Sequence, residues 1–145
     1  LVDVNQSLEI VFTLLEESFQ KRSIQVKKIF SDNLPKVKIQ EDQLKQVIFN
    51  ILQNSIDSIS NKGLITATTQ KKNSYVTLEI KDTGKGISKQ DQKHIFEPFF
   101  STKGTEKGNG LGLSITYGIV KDWNGDISVK SKWNEGTTVL IKLPL

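Results

Sequence analysis

Asn50 and Asn54 stand four residues apart, with Asp57 three further on, in a segment that is otherwise strongly apolar. Downstream follow Asp82-Thr-Gly-Lys-Gly86, Phe96-Glu-Pro-Phe-Phe100 and Gly108-Asn-Gly-Leu-Gly112, in that order. Carboxamide oxygens are hard donors suited to Mg²⁺, a cation commonly shared between protein and substrate phosphates. An amide supplies such a donor without setting negative charge against a polyphosphate. A carboxylate followed by glycines can accept a hydrogen bond from an exocyclic amine while the backbone bends close to the ligand. Glycine-rich backbone entering a helix offers N–H groups to anions. Each signal alone is weak. Metal, base, lid and phosphate elements together point to a Mg-nucleotide site.

Leu44, Val47, Ile48, Ile51, Leu52, Ile56 and Ile59 fall on one face of a helix, and Asn50, Asn54 and Asp57 on the other. Asparagine inside a helix costs several tenths of a kcal/mol; ordinary solvated asparagines remain the plainer reading of this helix taken alone. In the binding reading Asn54 is the metal ligand, Asn50 meets a phosphate and Asp57 holds a metal-bound water. Asp82, at a strand end, would accept from the exocyclic amine of adenine, which guanine lacks. Gly84 and Gly86 let the backbone approach, and Ile87 supplies an apolar wall. A calcium loop would need further acidic residues that are missing here.

The phosphate loop runs from Gly104 through Gly108, Gly110, Leu111, Gly112 and Leu113 into a helix. It is not a P-loop, because no Gly-Lys-Ser or Gly-Lys-Thr occurs. Nor is it a dinucleotide fingerprint, because Leu113 stands where that motif needs glycine. Lys103 and Lys107 either reach terminal phosphates or are surface charges of the lid. His94 reads as a partly packed lid residue with no acidic or basic partner at a helical step. Phe99 and Phe100 are expected to anchor the lid.

The elements that must position these groups follow from periodicity. Helices are expected over 5–22, about 41–60 and 111–122, and one short helix around 88–96. Strands are expected at 24–30, with Ile24, Val26 and Ile29 on one face, and at 64–71, 75–81, 126–133 and 137–143. Residues 37–40 form a short extended piece. Lys72-Asn-Ser74 and Asn134-Glu-Gly136 make hairpin turns. The polar run from Thr83 to Asn109 is long enough to be a functional lid. Hairpin-paired strands with helices gathered elsewhere predict an α+β fold, a two-layer α/β sandwich.

The bulk composition limits the alternatives. The 145 residues form one domain able to bury a core. Cysteine is absent, which excludes disulfides and thiolate metal sites. No apolar run approaches the roughly 20 residues of a membrane span. The first residue, Leu1, suggests a fragment of a longer protein. The net charge of +4 raises nucleic acid as a partner, but the lysines are scattered among acidic and polar residues without interleaved aromatics, so none is expected.

On these motifs, with Gly136-Thr-Thr138 and the closing Ile-Lys-Leu-Pro144, the chain resembles the catalytic ATP-binding domain of sensor histidine kinases across essentially its whole length. The wider superfamily includes gyrase, large heat-shock chaperones and mismatch-repair ATPases. The resemblance implies a Bergerat-type fold, a mixed, mainly antiparallel sheet with helices on one face and a long ATP lid. It implies that Asn54 binds Mg²⁺, that Asp82 reads adenine, and that Thr137 helps hold the base, often through water. Gly84, Gly86, Gly108, Gly110 and Gly112 would shape the lid and phosphate cradle. It implies ATP and Mg²⁺ as cofactors, and as partners a dimerisation domain bearing the acceptor histidine and a response regulator. The isolated domain would be monomeric and cytoplasmic, the full kinase membrane-tethered or not.

Three positions depart from common patterns of that superfamily. Ser58 stands where many relatives stack an aromatic residue on adenine. Trp123-Asn-Gly125 replaces a frequent His-Gly-Gly, a packing difference. Asn50 stands where the ATP-hydrolysing branch and the sigma-factor-regulating serine kinases carry a glutamate base. An amide takes no proton, so hydrolysis by the chain itself should be poor. A histidine nucleophile needs no such base near neutral pH.

Overall fold

The apolar stripe from Leu44 to Ile56 has to be covered on its whole width, which makes its helix the centre of the packing. In the computed structural model, which describes residues 1–98 and 112–145, the stripe lies on α3 (Glu41–Ser58). Leu44, Val47, Ile48, Ile51, Leu52 and Ile56 are all buried, and full burial of one such side chain is worth about 1.5–3 kcal/mol. Glu41 and Asp42 in the first turn suit the helix dipole. At the other end Arg22 donates from Nη1 to the carbonyls of Ile56 and Ile59, at 2.8 and 3.1 Å. These are acceptors that a helix end leaves open.

The helix expected over 5–22 is two helices, α1 (Val4–Leu14) and α2 (Glu16–Lys21), meeting at buried Leu15. Thr13 Oγ1 donates to the Glu9 carbonyl at 2.9 Å, a back-bond that bends helices. Beyond the break Phe19 returns over Phe12, with ring centroids 5.8 Å apart.

Five strands among the described residues form one sheet. They are β1 (Ile24–Phe30), β2 (Gly63–Lys72), β3 (Tyr75–Asp82), β4 (Asp126–Lys132) and β5 (Gly136–Pro144), in the order β1-β2-β3-β5-β4. β1 runs parallel to β2, and every other pair is antiparallel. Parallel neighbours need a crossover, and α3 lies within it. Ile65, Ala67, Val76, Leu78, Ile80, Ile141 and Leu143 turn inward and are buried. Across the opposite face Lys27, Thr66, Lys81, Thr138 and Lys130 stand in register, so the helices cover one face only. Ile29 corrects the expected pattern of β1. Alternation places Ile24 and Val26 inward, with Phe30 rather than Ile29, which is 48% exposed. The extended piece at 37–40 contributes one antiparallel bridge, Val2 with Val37. The segment expected as a helix around 88–96 is helical only in α4 (Lys89–Gln92).

α5 (Gly112–Asp122) packs on α3. Trp123 packs against the core, as its departure from His-Gly-Gly suggested. Gly118 sits inside α5, and a Cβ built on it meets nothing within 4 Å among the described residues. Gly118→Ala is therefore expected to stabilise the chain by about 0.5–1 kcal/mol, read as a raised midpoint in urea unfolding. No helix among the described residues is long and apolar enough to cross a membrane.

Candidate nucleotide site

The last turns of α3 and the end of β3 face one another, because α3 lies on the sheet and packs on β3. Asp82 closes β3 on the inward side and is only 4% exposed. Its Oδ1 accepts from the Gly84 N–H at 2.9 Å and from Ser58 Oγ at 3.4 Å. Burial pushes the Asp82 carboxyl above its ordinary range; the Gly84 and Thr137 N–H groups and the Ser55 and Ser58 hydroxyls pull the other way. An acid so placed is poised to accept from a ligand donor.

Backbone contacts hold the segment after Asp82 on both sides. Lys85 N–H donates to the Ser58 carbonyl at 3.0 Å, and the Lys85 carbonyl accepts from Asn134 N–H at 2.6 Å. Gly84 lies so close to α3 that a Cβ would come within 2.0 Å of Ser58 Oγ. Gly86 adopts φ +74°, and its Cβ would meet the Lys132 carbonyl at 2.1 Å. Ile87 is half-buried. Its N–H donates to Ser131 Oγ at 2.8 Å, while Gln92 Nε2 donates to the carbonyls of Ile87 and Ser131 at 2.8 and 3.0 Å. Thr137 lies beside Asp82 in the β3–β5 register, on the same face.

Asn50, Asn54 and Asp57 are all half-buried on α3. Asn50 Nδ2 donates to the Gly112 carbonyl at 3.3 Å and to Thr116 Oγ1 at 3.4 Å, tying α3 to the first turn of α5. Asp57 accepts from Gln53 Nε2 at 3.1 Å. The donor set fits Mg²⁺ shared with a phosphate chain better than a metal held by protein alone: Asn50 and Asn54 bring two carboxamides to this side of α3, and among the described residues no three His, Cys, Asp or Glu cluster to hold an ion. Gly112 and Leu113 open α5. Lys103, Lys107, Gly108, Gly110 and Leu111, with Phe99 and Phe100, lie outside the described residues.

His94 requires a correction. Its Nδ1 lies 2.9 Å from Glu97 Oε1, an acidic partner three residues on. The segment turns tightly after α4, with Glu97 N–H donating to the His94 carbonyl, and that brings the two together. Phe96 packs on Tyr117 with centroids 5.0 Å apart, which holds this segment against α5. Sequence reasoning did not single out Arg22, Ser55, Gln92, Thr116 or Ser131. Arg22 and Gln92 reach backbone carbonyls far along the chain, Thr116 meets Asn50, Ser131 meets a cross-strand neighbour and Ser55 meets Asp82, contacts that no local spacing reveals.

Residues 39–145 match the family described as histidine kinase-, DNA gyrase B- and HSP90-like ATPases. The chain is similar to the sensor histidine kinase ZraS of Escherichia coli K12, 33% identical over 144 residues, covering 99% of this chain and 30% of ZraS. It is 36% identical over 143 residues to sporulation kinase C of Bacillus subtilis 168, covering 98% of this chain and 33% of that kinase. The chain thus spans about a third of the length of these curated relatives. Among solved structures, the catalytic domain of histidine kinase ThkA superposes with a TM-score of 0.88 at 29% identity, covering 99% of this chain and 93% of that domain. Full-length ShkA in complex with AMPPNP gives 0.88 at 25% identity, covering 99% of this chain and 30% of ShkA. With its mixed five-stranded sheet and one-sided helices, the chain belongs to the histidine kinase-, DNA gyrase B- and HSP90-like ATPase family.

Proposed function

We propose that the chain is the catalytic part of a two-component sensor kinase, which binds Mg-ATP between α3 and the end of β3 and donates the γ-phosphate to a histidine on a separate dimerisation domain. The observation that carries this is the buried Asp82 carboxylate, offered at a strand end beside Gly84 and faced by the last turns of α3. Asp82 accepts from the adenine amine, with Thr137 beside it and Ile87 walling the base. Asn54 would hold Mg²⁺ together with phosphate oxygens, and the ion would supply neutralisation of the phosphate charge. Asn50 and Asp57 serve the phosphates and metal-bound water from the same side of α3, and Gly112 and Leu113, with Gly108, Gly110, Leu111 and Lys103, form the cradle.

In the transfer, the unprotonated imidazole nitrogen of the acceptor attacks the γ-phosphorus as the bond to the β–γ bridging oxygen breaks. ADP leaves, and no base is needed to take a proton from the attacking atom. That matches Asn50, whose amide cannot act as a base and which instead bonds Gly112 and Thr116. Onward relay goes to an aspartate of a response regulator. In its support, ThkA is solved in complex with the response regulator protein TrrA, at a TM-score of 0.83 and 26% identity to this chain. A cytoplasmic location follows from the need for ATP, whether or not the whole kinase is tethered to a membrane.

Calorimetric titration with ATP and GTP, with and without Mg²⁺, tests the reading. Tight binding of ATP alone, strengthened by Mg²⁺, is expected. Asn54→Ala should remove most of the Mg²⁺-dependent gain and leave Mg-free ATP binding nearly unchanged. With radiolabelled Mg-ATP the chain should neither label His94 nor turn over steadily. Equal binding of GTP would sink the adenine site, and steady hydrolysis would favour a gyrase-like ATPase.

A further inference from the structure

Ser131, Thr137 and Asp82 form one row across β4, β5 and β3, because Ser131 pairs with Thr137 and Thr137 with Asp82 in the strand registers. Ser131 Oγ makes three contacts. The Ile87 N–H donates to it at 2.8 Å, the Gly136 carbonyl lies 2.9 Å away, and Thr137 Oγ1 lies 2.8 Å away.

A hydroxyl has one proton and two lone pairs. The Ile87 N–H can only donate, so it uses one lone pair of Ser131. The Gly136 carbonyl can only accept, so it takes the Ser131 proton. The third contact then closes in one way: Thr137 donates its proton to Ser131. The reverse arrangement, with Ser131 donating to Thr137, withdraws this donor from the carbonyl of buried Gly136, and giving up a bond to a buried acceptor is costly.

We infer that Ser131 is a positioning residue for base selection, committing the Thr137 proton away from the cleft so that Thr137, like Asp82, presents only acceptors to the base. This rests on the Mg-ATP reading above and deepens it. An all-acceptor edge takes the adenine amine, directly or through a water that donates to it. A purine with a carbonyl in place of that amine needs a donor there and finds none. Without Ser131, the Thr137 hydroxyl is free to turn and donate to such a carbonyl, so rejection relaxes.

The test compares ATP with inosine triphosphate, which exchanges the amine for a carbonyl and adds no second amino group. Both are titrated into the chain in the presence of Mg²⁺. Ser131→Ala should lower the ATP-to-inosine-triphosphate affinity ratio about tenfold, the scale of one hydrogen bond. Ser131→Thr, which keeps the hydroxyl, should restore it. In a Thr137→Val background the same Ser131→Ala change should no longer move the ratio, since no hydroxyl is left to turn. Ser131→Cys, similar in volume but a weak donor and acceptor, is the second variant should the alanine fail to fold, and should move the ratio the same way.

An unchanged ratio in Ser131→Ala overturns the inference while leaving ATP binding standing. So does a drop that persists undiminished in the Thr137→Val background. A parent chain that binds both nucleotides equally instead overturns the adenine reading on which it rests.

Discussion

Asp82→Asn is expected to weaken ATP binding at least about a hundredfold and, at the same time, to make the nucleotide-free chain more stable near neutral pH. The loss follows from the acceptor. The carboxylate gives the adenine amine a charged partner, and an amide that turns its own N–H₂ toward the base forfeits that bond and leaves a buried donor unmet. The gain follows from burial, which raises the Asp82 carboxyl in the folded chain above its unfolded value despite the N–H and hydroxyl donors around it. The folded state then holds the proton more tightly than the unfolded one. Its contribution to stability is complete below the unfolded carboxyl value and is lost as pH rises through the folded one. The parent therefore carries a penalty above that window that asparagine does not. Thermal unfolding across pH should show the two chains converging in acid and diverging toward neutrality, with the variant higher by about 1 kcal/mol, a common scale for exchange between stability and function. A variant less stable than its parent at neutral pH would mean that the Asp82 charge is a net stabiliser, contrary to its burial.

Asp82 is also the residue whose place in the fold the sequence makes most legible. A strand pattern ends on a carboxylate and glycines follow, and both signals are local. The α3 stripe is legible for the same reason: six apolar residues at helical spacing leave one orientation for Asn50, Asn54 and Asp57. The two hairpins are legible from their turn residues. What escapes a reading of the sequence is non-local. The break at Leu15 depends on Thr13 bonding Glu9 and on Phe19 finding Phe12. Ile29 is apolar yet faces outward, because pleat, not composition, assigns the face. The parallel pairing of β1 with β2 requires knowing that α3 crosses over. Ser131 meets Gln92 and Ile87 across separations of 39 and 44 positions, and nothing in its own neighbourhood announces it.

Gly136→Ala should be among the most damaging single methyl groups that can be added near this site, because, like Gly86→Ala, it breaks two rules at once. Gly136 adopts φ +120°, a conformation that L side chains rarely take, and a Cβ there would stand 2.1 Å from the Asp82 backbone carbonyl. That contact is with backbone, so no side chain can swing aside to relieve it. β5 must shift from β3 at the pair Asp82–Thr137, the position where both proposed base contacts originate. Strain of the first kind costs about 1–3 kcal/mol and the collision adds to it, so a loss on the order of 4 kcal/mol, at the far end of what point changes do, is expected. ATP binding should fall with it. Gly112→Ala is the contrast: Gly112 opens α5 rather than lying inside it, and a Cβ there meets nothing within 4 Å among the described residues, so the denaturant midpoint should not fall, and any loss of ATP affinity reports the phosphate end of the cleft. Should Gly136→Ala leave the midpoint within the scatter of the parent, β3 and β5 would not be held at the spacing described, and the row from Asp82 to Ser131 could not work as a unit.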